Sequence, residues 1–176
     1  SDGENVDFEA RMSELSARRL AGSKDFNSKG ELVSTKDESQ KALQAWQSIS
    51  REDNKSLFAQ AQFNNGLIYI QQGDSQKALK AWQSISHEDD CQQFAYAQFN
   101  IGVYYEEQGN SQRALEAWQN ITREDDIKTF AKANFYIGSK YEELSDTHHA
   151  LEAWQSISRE DDAEQFAKAQ YKIGLT

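Results

Sequence analysis

A block of twelve residues with one tryptophan recurs four times in this chain of 176 residues. One copy, at 75–86, reads SQKALKAWQSIS, and the others begin at residues 39, 111 and 147. Successive tryptophans are 36 residues apart: Trp46, Trp82, Trp118 and Trp154. A fixed period of this size is typical of repeat proteins, in which each unit buries its apolar face on its neighbours. The repeat predicts that the tryptophans belong to the core.

Each repeat unit predicts two helices that pack antiparallel. The tryptophan block spaces its alanine, leucine, tryptophan and isoleucine as on one helix face, which predicts a helix of about 11 residues. A connector, 51–54 in the first unit, leads to a helix of about 18 residues that closes at Gly73 and Asp74. There glycine suits a left-handed helix end, and Asp74 caps the next helix. Because proline is absent and no segment alternates as a strand does, we expect an all-α fold.

The first 38 residues depart from this pattern. The stretch 6–20 predicts one amphipathic helix, with Phe8, Met12 and Leu15 on one stripe. The stretch 22–38 is rich in Gly, Ser and Lys and predicts either a degenerate repeat element or a mobile loop. We therefore divide the chain into an N-terminal segment, 1–38, and a repeat array, 39–176. The units of the array lie near 39–74, 75–110, 111–146 and 147–176.

The charge balance narrows the class of partner. The chain has 29 acidic and 19 basic residues and a net charge of −10 at pH 7, which disfavours binding to nucleic acid or to an anionic membrane surface. No apolar run is long enough to predict a transmembrane helix, and no signal peptide is visible, although one removed earlier would leave the same sequence. A single cysteine, Cys91, fits a reducing compartment. We expect a cytoplasmic protein.

The Asp and Glu residues of the connectors, as at 51–54, 123–126 and 159–162, are candidate metal ligands, but the geometry of the connectors disfavours a metal site. Calcium needs several oxygens that converge from one loop, usually around a glycine, and these connectors are short, lack glycine and lead straight into a helix. Helix capping explains them better, because Asp at a helix start accepts hydrogen bonds from free backbone N–H groups. Asp162 and Gln165 have the spacing of a capping box.

No other residues predict catalysis, a metal or a cofactor. His148 and His149 are adjacent in a helix and point about 100° apart, so we expect surface histidines rather than ligands of one ion. Cys91 begins a helix without a partner at an interpretable spacing, which predicts a partly buried free thiol. The chain has no phosphate-binding glycine loop and no nucleophile elbow. We therefore expect no enzyme activity.

The run 61–79, AQFNNGLIYIQQGDSQKAL, combines a small residue in the first helix, a small residue in the second and an aromatic between them. The three units carry these at Gly66, Tyr69 and Ala78, at Gly102, Tyr105 and Ala114, and at Gly138, Tyr141 and Ala150. The pattern resembles the tetratricopeptide repeat over roughly residues 39–175. The resemblance implies that the small residues, with Gly174 in the last unit, let the two helices approach closely while the tyrosine fills between them. It also implies an all-α, right-handed α-solenoid of antiparallel helix pairs.

Two features depart from the family pattern. The period is 36 rather than the usual 34 residues, and the usual proline near the end of the second helix is missing. Sel-like repeats, which have longer periods, are the competing assignment. The spacing from Gly66 to Ala78 is 12 residues, as in tetratricopeptide repeats, whereas Sel-like repeats lengthen this loop. The sequence therefore favours a 36-residue tetratricopeptide-like variant.

The resemblance implies a non-catalytic scaffold. In it the long helices, which are the first helices of tetratricopeptide units, line a concave face that holds a peptide or helix of a partner protein. The candidate binding residues are Phe63, Leu67, Ile70, Phe99, Val103, Glu106, Phe135, Ser139 and Glu142. They predict an aromatic ladder that is apolar at its N-terminal end and acidic at its C-terminal end, which suits a basic or amphipathic partner. The alternative for the phenylalanine column is packing between neighbouring first helices.

A second hypothesis is a self-associating structural module. In the given sequence no tryptophan helix follows the last predicted long helix, which carries Phe166, Tyr171, Ile173 and Leu175. Either this end pairs with another copy of the chain, or the chain is a fragment of a longer array. A further possibility is that the N-terminal helix folds into the groove and regulates it.

Overall fold

The computed structural model describes residues 24–26 and 32–176, with side chains from residue 37 onward. This part of the chain contains a two-stranded antiparallel ribbon, β1 (Lys24–Phe26) and β2 (Leu32–Ser34), with Lys24 opposite Ser34. Eight helices follow: α1 (Thr35–Gln47), α2 (Lys55–Gln71), α3 (Ser75–Gln83), α4 (Cys91–Glu107), α5 (Ser111–Gln119), α6 (Ile127–Glu143), α7 (Thr147–Gln155) and α8 (Ala163–Leu175).

The ribbon corrects the expectation that the chain contains no strand. The helix predicted over 6–20 lies outside the described residues. Of the stretch 22–38, the described residues form the ribbon and the beginning of α1, which starts four residues before the first tryptophan block. Everywhere else the described chain consists of helices and short connectors, as an all-α fold requires.

The chain divides into two compact units, Ser1–Asp90 and Cys91–Thr176. In the first unit, α2 and α3 form a hairpin and α1 packs against α2. In the second unit, α4 pairs with α5 and α6 with α7, α5 also contacts α6, and α7 also contacts α8. The long helices α4, α6 and α8 pack side by side in the same unit. The predicted helix pairs are confirmed, with 17 residues in each long helix of a complete hairpin and 9 in each tryptophan helix.

Polar side chains begin these helices as predicted. The cap side chain accepts a hydrogen bond from the backbone N–H three residues later, which satisfies a donor that the helix leaves free. The caps of the long helices are Asn54, Asp126 and Asp162, and those of the tryptophan helices are Asp74, Asn110 and Asp146. Only half of the predicted capping box forms: Gln165 N–H donates to Asp162, but Gln165 Oε1 has no hydrogen-bond partner.

The turn from each long helix to its tryptophan helix passes through a left-handed residue. Gly73 and Gly109 have φ of 81° and 73°, and Ser145 takes the same position with φ of 62°. This backbone conformation is free for glycine and strained for serine. The last hairpin therefore keeps the turn of the others at an energetic cost.

Each complete hairpin is held by one indole packed against one glycine. Trp82, Trp118 and Trp154 are at most 1% exposed. A Cβ atom on Gly66, Gly102 or Gly138 would lie within 2.2 Å of the indole nitrogen, so only glycine leaves room for it. The same nitrogens donate to the carbonyls of Phe63, Phe99 and Phe135 at 3.2–3.3 Å. The predicted core role of these three tryptophans and the close approach at these three glycines are confirmed, whereas Trp46 is only half-buried.

Candidate binding surface

The predicted binding residues are distributed over three long helices in two units. Phe63, Leu67 and Ile70 lie on α2 of the first unit, and the other six lie on α4 and α6 of the second. In the second unit these helices pack together with α8, so side chains from all three share one surface. We call it the long-helix face and define it by five residues at least partly exposed there: Val103, Glu106, Ser139, Glu142 and Tyr171.

The aromatic column becomes more exposed toward its C-terminal end. Phe63 and Phe99 are 8% and 4% exposed, Phe135 is half-buried, and Tyr171 is 70% exposed. The Phe99 ring contacts the Tyr136 ring edge to face, with centroids 5.3 Å apart. For Phe99 this geometry supports the alternative that the column packs between neighbouring long helices, and it leaves Tyr171 as its accessible member.

Lysines cover two of the phenylalanine rings. Lys132 Nζ lies 4.8 Å from the centroid of the Phe99 ring, and Lys168 Nζ lies 5.9 Å from that of Phe135. A cation over an aromatic face is attracted by the ring quadrupole. Each contact joins one long helix to the next, so the lysines help to hold the helices side by side. The two lysines are 36 residues apart, and this match to the repeat period is the sequence signal from which the contacts could have been predicted.

Most carboxylates of the predicted acidic end are paired. Lys140 Nζ lies 2.5 Å from both Glu106 Oε1 and Glu143 Oε2, and Lys172 Nζ lies 2.7 Å from Glu142 Oε1. Burial acts to lower the pKa of Lys140, but the two carboxylates outweigh it and raise that pKa above its usual value. Glu107 is exposed, and no ion pair to it occurs among the described residues. The sequence prediction counted Glu106 and Glu142 without the lysines, Lys140 and Lys172, that reach them from the neighbouring helix.

The acidic connectors tie successive repeats together. Arg51 Nε lies 2.6 Å from Asp89 Oδ1, and Arg123 Nη2 lies 2.8 Å from Asp161 Oδ2, in each case from one connector to the next. Each arginine also donates to a backbone carbonyl, that of Ser84 or Ser156. The arginine hydrogen bonds, aided by serine donors, lower the pKa of both aspartates although burial acts to raise it. These aspartates therefore stabilise the repeat stack.

The remaining predicted groups lie at the surface. His148 and His149 are exposed, and the His149 ring stacks on Tyr141 with centroids 5.0 Å apart. Cys91 is exposed, so the prediction of a partly buried thiol is wrong, because the first residue of α4 points away from the hairpin core. Within the part of the chain that the structure describes, no three His, Cys, Asp or Glu side chains cluster as metal ligands would. None of the described helices is both long and apolar enough to cross a bilayer.

Comparison with known proteins identifies the repeat. The tetratricopeptide repeat model matches residues 35–86 and 66–128, which together span more than half of the chain. Among solved structures, the crystal structure of MamA is similar, with 18% sequence identity and a TM-score of 0.51 over 80% of this chain and 92% of that one. At this identity the likeness concerns the fold alone, and together the two matches confirm the predicted α-solenoid. No curated protein matches the sequence.

Proposed function

The chain belongs to the tetratricopeptide repeat family, whose members are protein–protein interaction modules, and we propose that it binds an amphipathic segment of a partner on the long-helix face. Val103 and Ser139 are half-buried on this face, and Tyr171 is exposed beside them. Aromatic side chains that stay accessible at a surface are favoured anchors for a partner. The sequence predicts that this face is concave, as in the resembled family, and that the protein binds rather than catalyses.

The balance of charge on the face is the observation that selects an amphipathic partner over a strongly basic one. Beyond their first turns, the packed long helices carry four lysines (Lys132, Lys140, Lys168 and Lys172) and four glutamates (Glu106, Glu107, Glu142 and Glu143). Because three of these glutamates already contact a lysine, the face does not present the uncompensated negative charge that a strongly basic peptide requires. A partner with an apolar stripe and one cation placed toward Glu107 complements it better.

The predicted contacts of the first unit are considered by themselves. Phe63 and Leu67 of α2 are 8% exposed and belong mainly to the core, whereas Ile70 is half-buried. We therefore assign Phe63 and Leu67 to packing, and Ile70 stays a predicted contact within the first unit.

An array of amphipathic peptides, probed with the full chain and followed by fluorescence anisotropy on the best binders, tests this proposal. We expect Tyr171→Ala to weaken binding by about tenfold, the loss typical of an interface anchor. Glu107→Gln should weaken only peptides that carry a cation, by about twofold to threefold, because an exposed pair contributes little. Ile127→Ala is the matched control, since Ile127 is an exposed apolar residue at the start of α6, away from the face.

Two outcomes separate the proposal from its alternatives. If every peptide that binds the wild-type chain binds the double variant V103D/Y171A equally well, the partner binds elsewhere. If binding is lost equally in Ile127→Ala, the contacts are nonspecific and the long-helix face has no special role.

A further inference from the structure

A groove of about 270 Å³ in the second unit is lined by the tryptophan helices α5 and α7 and by α6, which packs against both. We call it the tryptophan-helix groove. Its floor is apolar, because four of its lining residues are at most 8% exposed: Trp118, Ile121, Ile137 and Ala153. Small-molecule pockets usually measure about 300 to 1,000 Å³, so a groove of this size suits one or two side chains rather than a larger ligand.

Hydrogen-bond acceptors line the groove above this floor. Asn134 Nδ2 donates to the Phe130 carbonyl of its own helix at 3.0 Å, which leaves Asn134 Oδ1 to accept. Ser156 Oγ donates to the Ala153 carbonyl at 2.6 Å, which leaves its lone pairs to accept. Glu152 adds an exposed carboxylate. The groove therefore offers three acceptors to a donor that enters it.

The charge of the groove is negative. Among the residues that line it, Glu152 is the one acidic side chain, and there is no lysine or arginine. Glu152 pairs with His148 Nε2 at 3.2 Å, but both side chains are exposed, and a pair of that kind contributes little. Arg123 lies over the Phe130 ring at 4.6 Å, but Asp161 at 2.8 Å balances its charge. The groove therefore attracts a cation.

We propose that the tryptophan-helix groove is a second protein-binding site, which receives an arginine side chain from a partner protein. The aliphatic stem of an arginine covers apolar surface while its head stays hydrated, which matches Ile137 and Ala153 below the carboxylate of Glu152. A guanidinium presents five donors in a planar fork and meets several acceptors at once, as the compact ammonium of lysine does not. A free arginine molecule fits less well, because no lining lysine or arginine would hold its carboxylate.

The groove and the long-helix face lie on different sides of α6. The groove-lining residues of this helix share one stripe: Phe130, Asn134, Ile137 and Tyr141. Ser139 of the long-helix face lies about 170° from the centre of that stripe around the helix axis, at roughly 100° per residue. The two sites can therefore be occupied at the same time, and neither depends on the other.

The first unit provides a contrast in charge. Helix α3 carries Lys77 and Lys80 two repeat periods before His149 and Glu152 of α7. Lys77 Nζ lies 5.8 Å from the centroid of the Tyr69 ring, so a cation already occupies this side of α3. The residues that would favour an arginine therefore belong to the second unit. Lys80 also shows that a tryptophan helix accepts lysine at the position of Glu152.

An NMR titration of the isotope-labelled full chain with N-acetylarginine amide tests the proposal. We expect the side-chain amide signals of Asn134 and Gln119, which line the groove, to shift and to saturate. N-acetyllysine amide and N-acetylleucine amide should bind several-fold more weakly. Glu152→Lys should weaken arginine binding by about tenfold and Glu152→Gln by about threefold. Glu160→Lys, the same charge change at an exposed connector residue outside the groove, should bind like the wild type.

The outcomes separate this site from the long-helix face and from simple apolar binding. Tyr171→Ala should leave the arginine titration unchanged, so a failure of either site is visible without the other. Urea denaturation should show that Glu152→Lys is folded, as Lys80 at the equivalent position leads us to expect. Equal affinity of the wild type and Glu152→Lys for the arginine probe, or equal affinity of the wild type for the arginine and leucine probes, would overturn the proposal. So would unshifted Asn134 and Gln119 signals at the highest soluble probe concentration.

Discussion

Helices α6 and α8 have closely related sequences and different surroundings. Both contain Phe-Ala-Lys-Ala and, further on, Ile-Gly, but α6 is followed by the helix that carries Trp154 and α8 is not. Gly138 has an indole against it and Gly174 has nothing within 4 Å. The need for glycine is therefore a property of the pair of helices and not of the long helix by itself.

The comparison also shows what holds a long helix when its tryptophan helix is absent. Phe166 and Ile173 of α8 pack against a core cluster that includes Trp154, Ile157 and Ala169. Asp161, just before α8, is tied to Arg123 of the preceding connector. The long helices of complete hairpins have equivalent contacts, such as the tie of Asp89 to Arg51, so contacts with the previous repeat hold every long helix and are those that remain for α8.

The largest expected effect is that of alanine at Gly138. Its Cβ would lie 2.2 Å from the Trp154 indole nitrogen, so the helices must separate, and we expect the free energy of unfolding to fall by about 3 kcal/mol. Gly174→Ala should instead raise it, by up to about 1 kcal/mol, because alanine favours helix more than glycine does. Urea denaturation of the two variants measures both values.

A double-mutant cycle with Trp154→Ala isolates the contact itself. In that background the indole is gone, and Gly138→Ala should lose its cost and behave like Gly174→Ala. Equal destabilisation by Gly138→Ala with and without Trp154 would show that α6 and α8 differ for another reason.

An intermediate effect is expected from the tie between Arg123 and Asp161. Asp161 is 8% exposed and its pKa is lowered, so its ionised form stabilises the folded state above the unfolded pKa of about 4, and this contribution is lost as pH falls through the folded pKa. At pH 7, Arg123→Gln should lower the free energy of unfolding by about 1 to 2 kcal/mol, a value reduced by the exposure of the guanidinium.

The pH dependence supplies the control for this prediction. The difference in urea midpoint between the wild type and Arg123→Gln should begin to shrink as the pH falls below about 4, where Asp161 of the unfolded chain becomes protonated, and should be lost once the pH is below the lowered pKa of folded Asp161. The protection of backbone amides against hydrogen exchange, relative to the intrinsic rate at each pH, should fall in α8 before α6 as the pH falls. A difference that persists unchanged at low pH would mean that Arg123 acts through its contacts with Phe130 or Ser156 instead.

The smallest effect concerns the turn between α6 and α7, which contains Ser145. Ser145 adopts φ of 62° where the equivalent Gly109 has 73°. Ser145→Gly should raise the free energy of unfolding by about 0.5 to 1 kcal/mol, because glycine takes this conformation without strain. Gly109→Ser is the matched reverse change and should cost a similar amount, measured by thermal unfolding of both variants.

The helix pairs, the buried indoles and the close glycines could be predicted from the sequence because one motif specifies them. The spacing from Gly66 to Trp82 repeats unchanged in the next two units, so the hairpin is encoded within 36 consecutive residues. Helix caps were predictable for the same reason, since Asp126 and its counterparts act on residues three positions away.

Contacts between units of the repeat were harder to predict. The Arg123–Asp161 tie and the Lys140–Glu106 pair join residues 38 and 34 positions apart, and neither follows from the pattern of one helix. Arg-Glu-Asp recurs at 51–53, 123–125 and 159–161. Helix capping accounts only for the residue that follows it, such as Asp126, and not for the arginine or the first aspartate. The 36-residue periodicity does not extend to the residues before 39. No repeat therefore predicts the ribbon of β1 and β2.

The hydrogen bond from Trp118 to Phe99 has a consequence for how a gene of this kind can change in length. Donor and acceptor lie nineteen residues apart, which is less than one 36-residue period, so duplication or loss of any 36 consecutive residues still leaves each long helix followed by a tryptophan helix. No compensating substitution is then needed elsewhere. Descendants of such a gene can differ in copy number, and so in the number of stacked helix pairs, before any single residue has diverged.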